Sequence, residues 1–116
     1  MKQNEVLVPY IKKFFEYDPL TATHALETMD DDESIQILTA LPASVSAKIF
    51  NKLDVHHAAN LITKVPDNTF KQIVENMEAR QGAAIFIHIS EGVRNKLINE
   101  LPEKKKREIS EMLTYP

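Results

Sequence analysis

A pattern of 12 residues repeats eight times between Asp18 and Leu113, without an insertion. Every repeat ends on an apolar residue, and its eighth and ninth positions are apolar too, apart from Ser110 in the last repeat. Self-similarity at a short fixed period is typical of proteins built from stacked supersecondary units. Such stacks usually serve as binding surfaces. The repeat therefore favours a binding protein over an enzyme before any single side chain is considered.

The spacing within one repeat predicts a helix. Positions 5, 8, 9 and 12 follow the i, i+3, i+4, i+7 pattern of one helix face. Position 1 is Asp, Glu, Ser or Pro throughout, which indicates a helix start, because Asp and Ser cap amide groups and Pro is tolerated in the first turn. Position 5 is small in most early repeats, so neighbouring helices are expected to approach closely there. It becomes basic at Arg94 and Lys106.

These features predict an all-α fold, a superhelix or solenoid of about eight short helices in 12-residue repeats plus an N-terminal helix. We assign it a right hand, although the repeat is equally compatible with a left-handed superhelix. Two repeats, about 24 residues, form the natural helical hairpin, which gives about four hairpins. Residues 1–17 are expected to form a capping helix and residues 18–116 the repeat domain, as one domain overall. The cap would shield the first repeat with Val6, Leu7, Tyr10, Ile11, Phe14 and Phe15.

Composition and charge argue against several other classes of protein. No apolar run approaches the roughly 20 residues that cross a bilayer, so we expect no membrane insertion by this segment. The net charge of −3 disfavours nucleic acid as a partner. The lack of cysteine removes disulfides and thiolate sites and fits a cytoplasmic location. No glycine-rich phosphate loop, His-Glu-x-x-His motif or nucleophile elbow is present, so we predict that the protein is not an enzyme.

The densest acidic cluster has two interpretations. It is either a weak Mg²⁺ site, held by one or two carboxylates and several waters, or a charged helix start, where acids meet the positive end of the helix dipole. If successive helices run antiparallel, the even-numbered repeats all begin on one edge of the stack. That edge would then gather the cluster Asp30, Asp31, Asp32 and Glu33 with Asp54, Glu78 and Glu103.

The basic run from Lys104 to Arg107 also has two interpretations. It either contacts a neighbouring domain, nucleic acid or lipid, or forms the solvated face of a terminal helix. On the second interpretation, Lys105→Ala would leave stability almost unchanged.

The histidines are not expected to form a ligand set. His24 and His88 lie in different repeats, and the adjacent His56 and His57 would point about 100° apart on a helix. Surface or half-buried positions are the default expectation for all four.

Three short segments add a more specific signal. Residues 18–26 are Asp-Pro-Leu-Thr-Ala-Thr-His-Ala-Leu, residues 37–42 are Ile-Leu-Thr-Ala-Leu-Pro, and residues 109–116 are Ile-Ser-Glu-Met-Leu-Thr-Tyr-Pro. With the repeat, they resemble the N-terminal cytoplasmic domain of MgtE-type magnesium transporters, which is related to the helical middle region of the flagellar protein FliG. The chain departs from that family at Thr21, where the family has an aspartate, and at Lys48 and Arg80-Gln81, where some members carry acids.

The resemblance implies a cytosolic regulatory domain that senses magnesium for a transporter. In that family, ions bridge acidic residues between this domain and a pair of CBS domains, and the pore closes. It implies weak, interfacial Mg²⁺, CBS domains of the same polypeptide as partner, and a homodimer through the parent protein. The Thr-Tyr-Pro ending, residues 114–116, is similar to the turn that leads into the CBS pair.

The alternative is a protein-interaction scaffold without an ion role, in a soluble CBS-containing or FliG-like protein. Magnesium-dependent stability or compaction of the parent protein discriminates between the two. A helical nucleic-acid-binding solenoid is a third class, disfavoured by the net charge.

Overall fold

The computed structural model describes residues 3–114, with side chains from residue 9 onward. Nine α-helices and no strand occur within these residues. In chain order the helices are α1 (Gln3–Tyr17), α2 (Pro19–Thr28), α3 (Asp31–Ala40), α4 (Ala43–Lys52), α5 (Val55–Ile62), α6 (Asp67–Glu75), α7 (Ala79–Phe86), α8 (Glu91–Asn99) and α9 (Glu103–Thr114). The all-α prediction is thereby confirmed, whereas the superhelix and its right hand stay predictions.

Two parts of the sequence-based expectations fall outside the described residues. The side chains of Val6 and Leu7, expected to shield the first repeat, are among the undescribed ones. Tyr115 and Pro116, which belong to the ending similar to a CBS-linking turn, also lie outside the described residues.

Each repeat contains one helix, which begins at the second position of the repeat and follows a cap at the first. Asp18 and Asp54 cap their helices as predicted. Asp18 Oδ1 accepts a hydrogen bond from the Thr21 amide at 3.3 Å. Asp54 Oδ2 accepts hydrogen bonds from the amides of His56 and His57 at 3.1 and 3.2 Å.

Capping is not uniform along the stack. Asp30 and Ser90 make no side-chain cap bond, which corrects the prediction at those two positions. Their backbone carbonyls still accept the first helical bonds, from Ser34 and Arg94, so the helices begin without the side chain. Pro42 and Pro66 occupy the cap position itself, with φ values of −55° and −59° that suit a proline ring.

The core follows the predicted repeat positions. Position 9 is buried in seven repeats, and Ser110, the one polar residue there, is half-buried. Position 8 is buried in the central repeats and half-buried at Ala25, Ile37 and Leu97. The largest fully buried side chains include Phe50, Phe70, Phe86, Leu26, Leu38, Leu61, Ile73 and Ile109.

Helices pack mainly against the second helix along the chain rather than in consecutive hairpins. The odd-numbered helices α1, α3, α5, α7 and α9 form one continuous row of contacts, and α2, α4 and α6 form another. Of the predicted two-repeat hairpins, only α8 with α9 makes more than slight contact, and the other consecutive pairs that pack, α1 with α2 and α3 with α4, are not among those predicted. The reason lies in the connections: Met29 and Asp30, for example, are both extended, with ψ of 161° and 147°, and redirect the chain after α2. The described chain measures 41 × 27 × 22 Å.

Small residues at position 5 bring the helices close together, as predicted. The buried Ser34 and Ser46 donate their hydroxyl hydrogens to the carbonyls of Leu26 (3.2 Å) and Leu38 (2.7 Å) of the preceding repeat. These two bonds repeat the same geometry one unit apart, because in each case a position 5 serine meets a position 9 carbonyl.

Candidate functional site

The acidic cluster lies at the start of α3. Asp30 is the cap residue, and Asp31, Asp32 and Glu33 form the first turn. The side chains of Asp30, Asp32 and Glu33 are exposed and make no hydrogen bond or ion pair within the described part of the chain. Three carboxylates close together at a helix start attract a cation. The positive end of the helix dipole also stabilises their negative charge.

Asp31 differs from the other three because it contacts one residue of α5 and one residue just past the end of α5. Its Oδ2 atom accepts hydrogen bonds from Lys64 Nζ and Asn60 Nδ2, both at 2.8 Å. The Lys64 ammonium group, followed by the Asn60 amide and the nearby charge of His57, lowers the pKa of the Asp31 carboxyl. Any cation at this carboxylate must therefore compete with Lys64.

The predicted acidic edge is not formed as expected. Asp31, at the start of α3, contacts Lys64, just past the end of α5. His56, in the first turn of α5, contacts His88, just past the end of α7. The starts of α3, α5 and α7 thus alternate between ends. The acid at residue 54 therefore lies at the opposite end from the acids at residues 30–33 and 78. The start of α9 lies beside the start of α7, because Lys105 Nζ donates a hydrogen bond to the Met77 carbonyl.

The contact between His56 and His88 was not foreseen from the sequence. The two ring centres are 4.2 Å apart and the rings are tilted by 54°, while both residues are exposed. His57 lies near Asp31 at the start of α3 and interacts with it electrostatically. The two adjacent histidines therefore face different neighbours, as their separation on a helix predicts. His56 and His88 belong to repeats that are two apart, and repeats two apart pack together in this fold. The sequence analysis did not predict that packing and therefore missed the contact.

The basic run contains one structural lysine. Lys105 Nζ donates a hydrogen bond to the Met77 carbonyl at 2.6 Å in a partly buried setting. Lys104 is exposed, as expected for a solvated face. The expectation that Lys105→Ala has almost no effect on stability is therefore corrected, because this ammonium group ties the start of α9 to the turn before α7.

Aromatic side chains lie exposed along one face of α1 and its junction with α2. Tyr10, Phe14 and Tyr17 are spaced i, i+4, i+7, and Tyr10 and Tyr17 are 70% and 92% exposed. Leu20, in the first turn of α2, is also exposed, at 69%. An adjacent cavity of about 290 Å³ is lined by Phe15, Glu16, Pro19, Val45, Lys48, Ile49 and Lys52.

Among the described side chains, which begin at residue 9, no group of three or more histidine, aspartate or glutamate residues is placed to hold a metal ion. Within residues 3–114, no helix combines the length and the apolar character needed to span a bilayer. The Mg²⁺ site at Asp30, Asp31, Asp32 and Glu33 stays a prediction.

A comparison with known protein families identifies the one to which this sequence is similar. The family described as the MgtE intracellular N domain matches residues 17–116, which include all eight repeats. A comparison with curated proteins found no match. The resemblance drawn from the repeat and the three segments is thus confirmed.

Proposed function

This chain belongs to the MgtE intracellular N domain family, and on that premise we propose that it is the cytosolic regulatory domain of an MgtE-like magnesium transporter. It acts through an interface with CBS domains of the same polypeptide, and the parent protein is a homodimer. The family match over residues 17–116 is the observation that carries this proposal. The family is defined by a transporter's domain rather than by an enzyme, and we assign this chain no catalytic activity.

The exposed acids at the start of α3 supply the magnesium response. Asp30, Asp32 and Glu33 have no partner in the described part of the chain and so repel any second acidic surface brought against them. Mg²⁺ prefers oxygen ligands, keeps several waters and is commonly held by only one or two carboxylates. An ion shared between this cluster and an acidic CBS surface would relieve the repulsion and compact the parent protein. Asp31 contributes less, because Lys64 already neutralises it.

The first test is the native gene downstream of the Pro116 codon. A CBS pair followed by several apolar stretches of about 20 residues would support the transporter assignment. A stop codon, or a continuation without such stretches, would contradict it and favour a docking module.

The second test is magnesium-dependent compaction of the parent protein, measured by protease protection and small-angle scattering. The combined variant Asp30→Asn, Asp32→Asn, Glu33→Gln should need a several-fold higher Mg²⁺ concentration to reach half-compaction. A matched control removes three exposed acids elsewhere, through Glu75→Gln, Glu91→Gln and Glu111→Gln. An equal midpoint in both variants would contradict a role for the α3 cluster.

One observation favours the alternative, an interaction scaffold without an ion role. The aromatic face formed by Tyr10, Phe14 and Tyr17 is exposed, and aromatic residues are enriched at protein interfaces. On this alternative, partner binding depends on the aromatic face and is indifferent to Mg²⁺. The double variant Tyr10→Ser, Tyr17→Ser would then abolish binding that the three-acid variant leaves intact.

A further inference from the structure

We propose that His56 and His88 form a binding site for a divalent transition-metal ion of the Zn²⁺ class. The site is separate from the acidic cluster and does not depend on the magnesium role of the domain. Imidazole nitrogen suits Zn²⁺, Ni²⁺ and Cu²⁺, whereas Mg²⁺ prefers oxygen ligands.

The distance between the two rings fits a shared ion. Zinc–nitrogen bonds of about 2.0–2.1 Å with an angle near 90–110° at the metal place two ligating imidazole centres roughly 4.5–5 Å apart. The observed separation of the His56 and His88 ring centres is 4.2 Å. This separation is slightly shorter than the one two ligands require, so the exposed rings must move apart and each turn one nitrogen towards the ion when they bind it.

The backbone beneath each ring is held in place. The His56 amide donates to Asp54 Oδ2 at 3.1 Å, so this histidine is fixed in the capped first turn of α5. The His88 amide donates to the Ile85 carbonyl at 3.1 Å, and the next residue, Ile89, is buried in the core. Ligands anchored in this way lose little conformational freedom when they bind an ion.

The surroundings leave room for an ion with its waters. The two rings border an open recess of about 520 Å³ that is also lined by Ala59, Asn60, Thr63, Ile89, Ser90 and Val93. His88 follows the C-terminal end of α7, where the helix dipole favours a cation. With two protein ligands, water completes the coordination, so we expect a labile surface site rather than a structural one.

The test is titration of the untagged protein with ZnCl₂ and NiCl₂, followed by calorimetry and by NMR of the histidine rings. We expect one saturable site, with paramagnetic Ni²⁺ broadening the ring signals of His56 and His88 but not of His24. Loss of outer-shell partners alone commonly weakens metal binding by about 10–100-fold, so His56→Ala or His88→Ala should weaken it by at least about tenfold. His24→Ala, at an exposed position in α2, is the matched control and should leave it unchanged.

Both histidines are exposed, so the variants should keep their helix content, which circular dichroism checks. Absence of saturable binding, or equal affinity in His56→Ala and the parent chain, would overturn the proposal. Displacement of Zn²⁺ by equimolar Mg²⁺ would also overturn it, because that result indicates carboxylate ligands. Failure here leaves the compaction test of the α3 acids unaffected, since that test uses Mg²⁺ and other residues.

Discussion

Ile109 fills the space that a side chain at position 82 would need, because a Cβ atom built on Gly82 would lie 2.9 Å from Ile109 Cδ1. Gly82 is position 5 of its repeat, and Ile109 is position 8 of the repeat two further along the chain. Ile109 is fully buried, so its side chain has little room to move away. The approach of α7 to α9 therefore depends on glycine at this position.

Gly82→Val should destabilise the protein by about 1–3 kcal/mol, the usual range for overpacking a filled core. The matched control is Gly92→Val, because a Cβ at Gly92 meets nothing within 4 Å. The control should be neutral or slightly stabilising, since valine has a better helix propensity than glycine. Urea unfolding of the two variants measures the difference, and equal losses would refute close packing at Gly82.

Truncation of the central core should be far more costly than truncation at the surface. Leu61 and Ile73 are fully buried at position 8 of adjacent repeats, so Leu61→Ala or Ile73→Ala should cost about 2–5 kcal/mol. Ile87 is 59% exposed, and Ile87→Ala should stay within about 0.5 kcal/mol. Thermal and urea unfolding test this contrast. Comparable melting shifts for buried and exposed positions would contradict the repeat assignment.

The sequence alone was sufficient to predict the helices, but it was insufficient to predict how the helices pack against one another. Helix starts and buried positions follow from local chemistry, since Asp54 caps its own helix and Phe50 belongs to its own apolar stripe. The contact between His56 and His88 depends on which repeats pack together and in which direction. A single repeat carries no such information, because each helix is short and the linking residues that set its direction differ along the chain: Leu41 is extended, whereas Thr63 and Asn76 are in the right-handed helical region.

The roles of single residues in the acidic cluster and the basic run also depend on packing that the sequence alone does not predict. The four consecutive acids looked equivalent in the sequence, yet Lys64, which follows α5 two repeats further on, distinguishes Asp31 from its neighbours. Lys105 looked like part of a solvated face until packing placed the Met77 carbonyl within its reach. In both cases a long-range partner decides the role of the residue.

Ser46 satisfies a carbonyl that the helix itself leaves without a donor. The Leu38 carbonyl would ordinarily accept from the amide four residues on, but that residue is Pro42, which has no amide hydrogen. The buried Ser46 hydroxyl donates to it instead, at 2.7 Å. Ser46→Ala should therefore cost about 1–3 kcal/mol, because it leaves a buried acceptor unpaired.

The control for this prediction lies in the same helix. Ser44 is exposed on α4, and Ser44→Ala should change the free energy of unfolding by no more than about 0.5 kcal/mol. Chemical unfolding of both variants provides the comparison. A Ser46→Ala protein as stable as the Ser44→Ala protein would show that the Leu38 carbonyl finds another donor.

Lys105 and Lys104 offer a pair of neighbouring lysines with different roles. Lys105→Ala removes the hydrogen bond to the Met77 carbonyl and should cost about 1 kcal/mol, as typical single hydrogen bonds do. Lys104→Ala should have no measurable effect, because Lys104 is exposed. Melting temperatures of the two variants decide the point, and indistinguishable values would restore the solvated-face interpretation of the whole run.

Asp31 should give the protein a stability contribution that acid removes. Its pKa is lowered in the folded state by hydrogen bonds from Lys64 and Asn60, so the folded protein binds the proton less readily than the unfolded chain does. The contribution is therefore fully present above the unfolded pKa of about 3.9 and is lost as the pH falls through the lower folded value. Asp31→Asn should be less stable than the parent at pH 7, and the difference should shrink as the pH falls below the unfolded pKa.

Asp32→Asn is the matched control for Asp31, because Asp32 shares the start of α3 but has neither Lys64 nor Asn60 as a partner. Both substitutions remove one charge from the helix dipole, so only the loss of partners separates them. Urea unfolding from pH 7 downward should show the larger pH-dependent difference for Asp31→Asn, and added Lys64→Met should reduce that excess, while the Asn60 hydrogen bond preserves part of it. If Asp32→Asn shows the same pH dependence, the effect belongs to the helix start and the ion pair contributes nothing.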